Sequence, residues 1–505
     1  MTMIVANPVR ETRLARALLP LWVGTFAYAL LFLAGDRLLA DPDTQWQITV
    51  GQWILDHQAV PQTDVFSFTM KGQAWISTQW LAQVIYAGVY AWFGWTGPVV
   101  LAAAASALTF ALLARSLSRT LSESATLVFV AVALALTAPH ILARPHVLAL
   151  PVMVMWIGGL IAAADKHEAP SFALLPLMVL WANLHGGFVF GLLMIAPIAL
   201  DAMVNTQGAS RKPLMLRWTV FALAAILASC CTPYGWNSLL ASQKILSLGS
   251  ALPLITEWRA MDFTHLHPFE ICLLGAIGLA LYRGITLPML RIVLLLGLIH
   301  MALAQGRAAE ILALVAPLIV AAPLARQVGA ADAAPPSGTM SGHGFVTACA
   351  AILLVTGTLA YASLHRFAPD TGNSPVGAVA ALKKLNVERV FNDYDFGGYL
   401  IASGVSPFID GRTELYGEKF FVDHNAASGL MEPDNLFRLL DAYKCDATLM
   451  RTQSAATKLL DRVDGWQKVY ADDIATIHLR TAGAAHTIDP AVEPGSRSRL
   501  NSLSN

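Results

Sequence analysis

Predominantly apolar stretches of about 20 positions, the length a helix needs to cross the hydrocarbon core of a bilayer, recur along most of the chain. They centre on Phe26, Ala105, Val130, Met155, Leu177, Leu193, Ala224, Ala276, Leu295, Val315 and Leu354. A further run from Trp80 to Trp95 is short, and its placement decides the topology. Counted as a crossing, it makes about twelve spans and returns the C-terminal region to the starting side. Read as interfacial, which suits the rings of Trp80, Trp92 and Trp95 at headgroup level, it leaves about eleven. Basic residues collect in cytoplasmic loops. With eleven spans that side carries the N-terminal arginines, Arg115, Arg119, Lys166, Arg211, Lys212, Arg283 and Arg326. The chain is therefore expected to start inside and to end outside, in a bacterium the periplasmic face of the inner membrane. The first apolar run, Ala17 to Ala34, is long for a signal peptide and lacks a small-residue cleavage site, so it reads as a retained helix.

From about residue 365 the pattern changes to short alternating elements. Val376 to Leu385 reads as a helix, Arg389 to Asn392 and Pro407 to Ile409 as strands, Asp434 to Tyr443 as a helix, Ala447 to Met450 as extended and Ala455 to Val463 as a helix. Trp466 to Ala471 and Ile474 to Leu479, joined by Asp472-Asp473, read as a terminal hairpin. The expected organisation is a polytopic region over 1–326 with a first outer loop at 41–95, and a cytoplasmic linker over 327–343. A last span over 344–364, a soluble α/β domain over 365–482 and a disordered tail over 483–505 complete it.

Composition fits two solvents: 56% of the residues are hydrophobic and 13% charged, about half the charge of an ordinary soluble domain. The 33 basic residues balance 33 acidic ones, and no basic block with interleaved aromatics suggests nucleic acid. Of five cysteines, Cys230, Cys231, Cys272 and Cys349 lie in apolar segments, which leaves Cys445 alone in the C-terminal region and points to no disulfide there.

The first outer loop opens with Asp41-Pro42-Asp43-Thr44-Gln45-Trp46-Gln47. Trp46, Val50, Trp53 and Ile54 recur at helical spacing, so this segment reads as a helix lying on the membrane with Gln47, Gln52 and Asp56 in water. Asp43 stands where it can cap that helix, or, with Asp41, act as a base or hold a divalent cation. With this topology His140, Arg144, His146, His185, Glu257, Arg259 and Arg307 gather at helix ends on the same outer side. Ionisable groups at membrane depth usually face a polar cavity, and guanidinium forks match phosphate oxygens. Snorkelling or pairing with a nearby carboxylate is the plainer account of each arginine taken singly. In the C-terminal region Asp393, Asp395, Asp410, Arg412 and Glu414 read first as turns and ion pairs. Gly397-Gly398 lacks the spacing of a phosphate loop.

Several motifs together resemble the GT-C class of membrane glycosyltransferases, in a bacterial branch with a C-terminal periplasmic domain. They are Asp41-Pro42-Asp43 with Trp46, Gly51 and Ile54, then Pro61, Asp64-Val65-Phe66-Ser67-Phe68-Thr69, Gly72, Trp75, Trp80 and Leu81. Further on come Trp181-Ala182-Asn183-Leu184-His185-Gly186-Gly187, Tyr234-Gly235 and Glu257-Trp258. The C-terminal region adds Val390-Phe391-Asn392-Asp393-Tyr394, Gly397-Gly398-Tyr399, Phe408-Ile409-Asp410-Gly411-Arg412 and Leu415-Tyr416-Gly417. Where that branch tends to carry a histidine after the tryptophan, this chain has Gln47, which cannot titrate.

The resemblance implies a mainly α membrane bundle of about eleven spans with interfacial helices and a C-terminal α/β domain. It also implies a polyprenyl-phosphate-linked sugar as donor, with a glycan, lipid or protein as acceptor. Asp43 would be the base, Asp41 would orient it or share a divalent cation with it, and Arg144, His146, His185, Glu257, Arg259 and Arg307 would bind substrate. Two other classes fit the same residues: a transporter or lipid flippase with a polar path, and an inactive relative that scaffolds envelope assembly.

Overall fold

The computed structural model describes residues 8–206, 208–246, 248–328 and 343–481. Residues 329–342 of the expected linker and the tail 483–505 lie outside them. The chain divides into two compact units, residues 1–62 with 75–370, and residues 63–74 with 371–505. The first outer loop is thus split: its ends belong to the first unit and its middle to the second.

The first unit is helical. Each of the eleven apolar centres falls within a helix. Among the described residues six helices are long and apolar enough to cross a membrane: Thr96–Leu117, Glu123–His140, Pro145–Asp165, Arg211–Ser229, Ala308–Gln327 and Phe345–Leu364. Four apolar helices are shorter: Ala17–Leu33, Phe172–Leu184, Phe188–Val204 and Met289–Ala304.

Pro145–Asp165 is central: Trp156 is fully buried, stacks on Phe221 at 5.6 Å and donates to Gly191 O at 2.9 Å. The outer helices leave large apolar side chains uncovered, among them Leu223, Leu281, Phe345 and Leu353. Lipid is the solvent that makes such a surface stable, because inside a helix the backbone bonds to itself and only the side chains meet the bilayer. The protein is a multi-pass membrane protein.

Two shorter helices form the base of the first loop. Trp80–Phe93 has 14 residues, about 21 Å at 1.5 Å per residue and short of a bilayer crossing. It packs on Asp43–His57, where Gly51 lies against the Gln83 backbone: a Cβ there would meet the Gln83 carbonyl oxygen at 2.0 Å. This packing corrects the expectation that Gln47 lies in water: it is buried along with Trp46, Val50 and Ile54, while Gln52 and Asp56 are exposed. An amide network holds it. Gln47 accepts from Gln83 Nε2 at 2.7 Å and donates to Gln79 Oε1 at 3.2 Å, while Ser77 donates to Gln83 Oε1 at 2.8 Å. A neutral amide that donates and accepts at once satisfies both neighbours.

In the second unit a four-stranded sheet runs in the order β1-β2-β4-β3. Here β1 is Val390–Asn392, β2 Ala447–Arg451, β3 Trp466–Ala471 and β4 Ala475–Arg480. The β1–β2 pair is parallel and the other two pairs are antiparallel. The terminal hairpin and the helices Val376–Lys384, Pro433–Ala442 and Ala455–Leu460 lie where the pattern puts them, to within a few residues. Pro407 to Ile409 differs: it makes one isolated bridge, Val390 to Pro407, since proline has no N–H to extend a ladder. The helix Thr413–Gly429 has no counterpart in the sequence reading. It is broken at Gly417, whose φ of 77° is open to glycine.

Candidate active site

Two pairs of segments in the first unit are held together by bonds to the backbone. Ala143 N donates to Leu38 O at 2.7 Å, and the Thr44 hydroxyl donates to Ala143 O at 3.1 Å. These contacts bring the loop before Pro145–Asp165 alongside the start of Asp43–His57. Elsewhere Arg307 N donates to Glu257 O at 3.0 Å, and Gly306 N to Arg259 O at 2.8 Å.

Arg144 is the centre of the site. Its Nη1 donates to Asp41 Oδ2 at 2.9 Å and to Glu257 Oε1, and its Nη2 to Asp43 Oδ2 at 2.8 Å. One guanidinium fork thus joins three carboxylates. Arg307 Nη1 donates to the other Glu257 oxygen at 3.1 Å. Asp43 does not cap its helix. It is the first helical residue, and Asp41 Oδ1 accepts from the Asp43 N–H at 2.7 Å. The remaining Asp43 oxygen, Oδ1, accepts from Trp46 Nε1 at 2.9 Å.

Exposure differs across the cluster: the side chain of Asp41 is 6% exposed, those of Asp43 and Arg144 15%, and those of Arg307 and Glu257 25% and 28%. Burial pushes the Asp41 carboxyl up, Arg144 draws it back, and Asp43 and Glu257 push it further, leaving it near neutrality at about 7. For Glu257 burial also pushes upward, but the guanidiniums of Arg144 and Arg307 outweigh it and hold the carboxyl below its ordinary value.

Behind these groups lie His146 and His185, with ring centroids 6.2 Å apart. His146 Nε2 donates to His140 O at 3.1 Å, which leaves Nδ1 buried and without a hydrogen-bond partner. His185 Nδ1 accepts from Gly187 N at 3.0 Å, so its proton rides on Nε2. Arg259 is not brought in: its side chain turns to Pro253 O, 3.0 Å away, and only its carbonyl supports the Arg307 turn.

Glu310, buried and 3.8 Å from His146 Nε2, escaped the sequence reading. The signal was present, since it is a carboxylate at the start of an apolar helix, three residues after Arg307. Also missed was a second network, in which Arg291 reaches Asp165 at 2.5 Å, Asp201 at 3.0 Å and Ile319 O at 2.9 Å. Arg144 precedes Pro145–Asp165 and Asp165 ends it. The two charged networks therefore cap a helix of 21 residues, about 30 Å and one bilayer core apart.

Among the described residues no three or more His, Cys, Asp or Glu side chains converge as a metal set. The facing oxygens of Asp41 and Asp43, which a divalent cation would need, are bound to Arg144. As arranged, these residues fit a guanidinium rather than a metal ion.

No family profile and no curated protein matches the chain. Solved structures do. An Archaeoglobus fulgidus oligosaccharyltransferase superposes with a TM-score of 0.51 at 11% identity, covering 87% of this chain and 70% of its own. ArnT from Cupriavidus metallidurans, solved bound to undecaprenyl phosphate, superposes with a TM-score of 0.50 at 13% identity, covering 92% and 98%. Both are GT-C glycosyltransferases, and the fold of this chain is GT-C-like. At such identities the likeness is one of fold.

Proposed function

We propose that the protein is a membrane glycosyltransferase that moves a sugar from a polyprenyl phosphate to an acceptor on the periplasmic face of a bacterial inner membrane. The observation that carries this reading is the Arg144 fork joined to Asp41, Asp43 and Glu257 in a GT-C-like fold. Asp43 is the base. It is more exposed than Asp41, and its oxygens are aimed by Trp46 and Arg144. It takes the proton of the acceptor hydroxyl as that oxygen bonds to the anomeric carbon. The bond from that carbon to the phosphate oxygen breaks, and its electron pair leaves with the lipid phosphate.

Asp41 holds the Asp43 N–H and one arm of Arg144, so it orients the base. Arg144 is engaged by three carboxylates, which makes Arg307 the better placed to steady the departing phosphate. His146, through its unpartnered Nδ1, and its neighbour His185 would bind hydroxyls of the substrate.

Membranes or proteoliposomes given polyprenyl-phosphate sugars test this reading. Asp43→Asn is expected to abolish transfer, by at least 100-fold if a general base is lost, with the protein still folded. Unchanged transfer would remove the base assignment, and movement of lipid or solute without a glycosylated product would favour a transporter.

A further inference from the structure

Two of the motifs read in the sequence, Asp64-Val65-Phe66-Ser67-Phe68-Thr69 and Phe408-Ile409-Asp410-Gly411-Arg412, lie more than 300 residues apart and meet inside the second unit. Asp64 Oδ1 accepts from Arg412 Nη1 at 2.5 Å, with both side chains fully buried. Arg412 also donates to both oxygens of Asp410, and Tyr416 OH donates to Asp410 Oδ2. The Phe66 ring lies 5.3 Å from the guanidinium, Thr69 Oγ1 donates to Phe408 O at 2.7 Å, and Phe68 N to Pro407 O at 3.3 Å. Residues 63–74 are therefore a strap of the second unit, anchored in it by the buried Asp64 and Ser67 while Thr63, Val65 and residues 71–74 stay exposed.

The strap is also tied back on itself. Thr63 bridges Ala74, Asp64 N donates to Gln73 O, and Gly72 N to Asp64 O. One rung further along the chain, Trp75 N donates to Gln62 O at 3.0 Å. Trp75, the first residue after the strap, sets its ring 6.4 Å from that of Trp46, edge to face, and both are buried. Trp46 is the residue whose indole N–H aims Asp43. A continuous sequence of bonds and packed rings thus runs from Arg412 through Asp64, the strap neck, Trp75 and Trp46 to the Asp43 carboxylate.

We infer that Asp64 and Arg412 are positioning residues that hold Asp43 in its working orientation through the Trp75–Trp46 pair. This rests on the reading of Asp43 as the base, but its structural half stands without it. The bonds between Asp64, Arg412 and Asp410 lie within the second unit, so their effect is on geometry: kcat falls while KM stays.

The test is hydrogen exchange on the full-length protein in nanodiscs, comparing wild type with Asp64→Asn, alongside kcat and KM for sugar transfer. Exchange is expected to quicken roughly tenfold over 63–76 and over the helix Asp43–His57, with Pro145–Asp165 unchanged. kcat is expected to drop roughly tenfold at constant KM. Quickening confined to 63–74 with Asp43–His57 unmoved would overturn the inference, as would a KM effect alone. If exchange rises throughout, Thr69→Val, which removes only the hydroxyl bond to Phe408 O, decides by the same two outcomes. A wild-type protein without transfer activity would count against the transferase reading, and the exchange pattern would still support or overturn the positional link.

Discussion

Replacing Arg144 by methionine keeps an unbranched stem and removes the charge that three carboxylates share. Breaking a buried ion pair from one side costs roughly 3 to 5 kcal/mol, and the lower end applies here because Glu257 is 28% exposed. The loss also depends on pH, in a direction set by Asp41. In the wild type its folded carboxyl sits at about 7, raised from 3.8 by burial. Its contribution to stability is therefore complete below about pH 4 and is lost as pH rises through 7. Without Arg144 the carboxyl is pushed higher still, because the charge that draws it back is gone.

Between pH 6 and pH 8 the native variant then holds more proton than the native wild type, so the stability gap widens with pH, by on the order of 1 kcal/mol. Denaturant unfolding in detergent at the two pH values, followed by intrinsic fluorescence, measures the gap. Adding Asp41→Asn to both proteins should reduce that slope. A gap equal at pH 6 and pH 8, or one whose slope Asp41→Asn leaves unchanged, would refute the assignment of Asp41 as a titrating member of the cluster.

Transfer activity should survive chelation of divalent cations, because Arg144 occupies the oxygens a metal would use; loss on chelation with recovery on adding magnesium or manganese would reverse that view. Gly51→Ala should lower the yield of folded protein sharply, since the added Cβ would meet the Gln83 carbonyl at 2.0 Å; monodispersity on size exclusion reports it. Arg291→Leu leaves Asp165 and Asp201 without their shared cation, and a loss of roughly 3 kcal/mol is expected. Restoration by the added Asp201→Leu would show that the network is structural rather than part of transfer.

The apolar centres were legible because a bilayer leaves the backbone one common solution, and that solution has a length. Most strands and short helices after residue 375 were legible from alternation, but Pro407 to Ile409 forms only an isolated bridge and the helix Gly397–Ala402 went unread. The helix Thr413–Gly429 was not legible either: it mixes polar and apolar positions around a break at Gly417, so no periodicity marks it. For the site, Asp41, Asp43, Arg144, Glu257 and Arg307 could be proposed because charges are scarce near apolar runs, but nothing local says that one arginine serves three acids. Arg259 fits the same pattern as Arg307 and differs only in where its side chain turns. Gln47 suggested a missing titratable group, whereas its neighbours Gln79 and Gln83 show an amide built into a network. That distinction needs the three-dimensional contacts.

The strap at residues 63–74 sets a clock on assembly. Asp64 meets Arg412 across a separation of 348 residues, and ribosomes add roughly 5 to 20 residues per second. For roughly 20 to 70 seconds after Asp64 is made, its carboxylate must remain hydrated while every later helix is inserted. The acid-bearing loop can take its final shape only once the distal portion has been delivered and folded, so a chain truncated before Arg412 would reach the membrane without a finished centre.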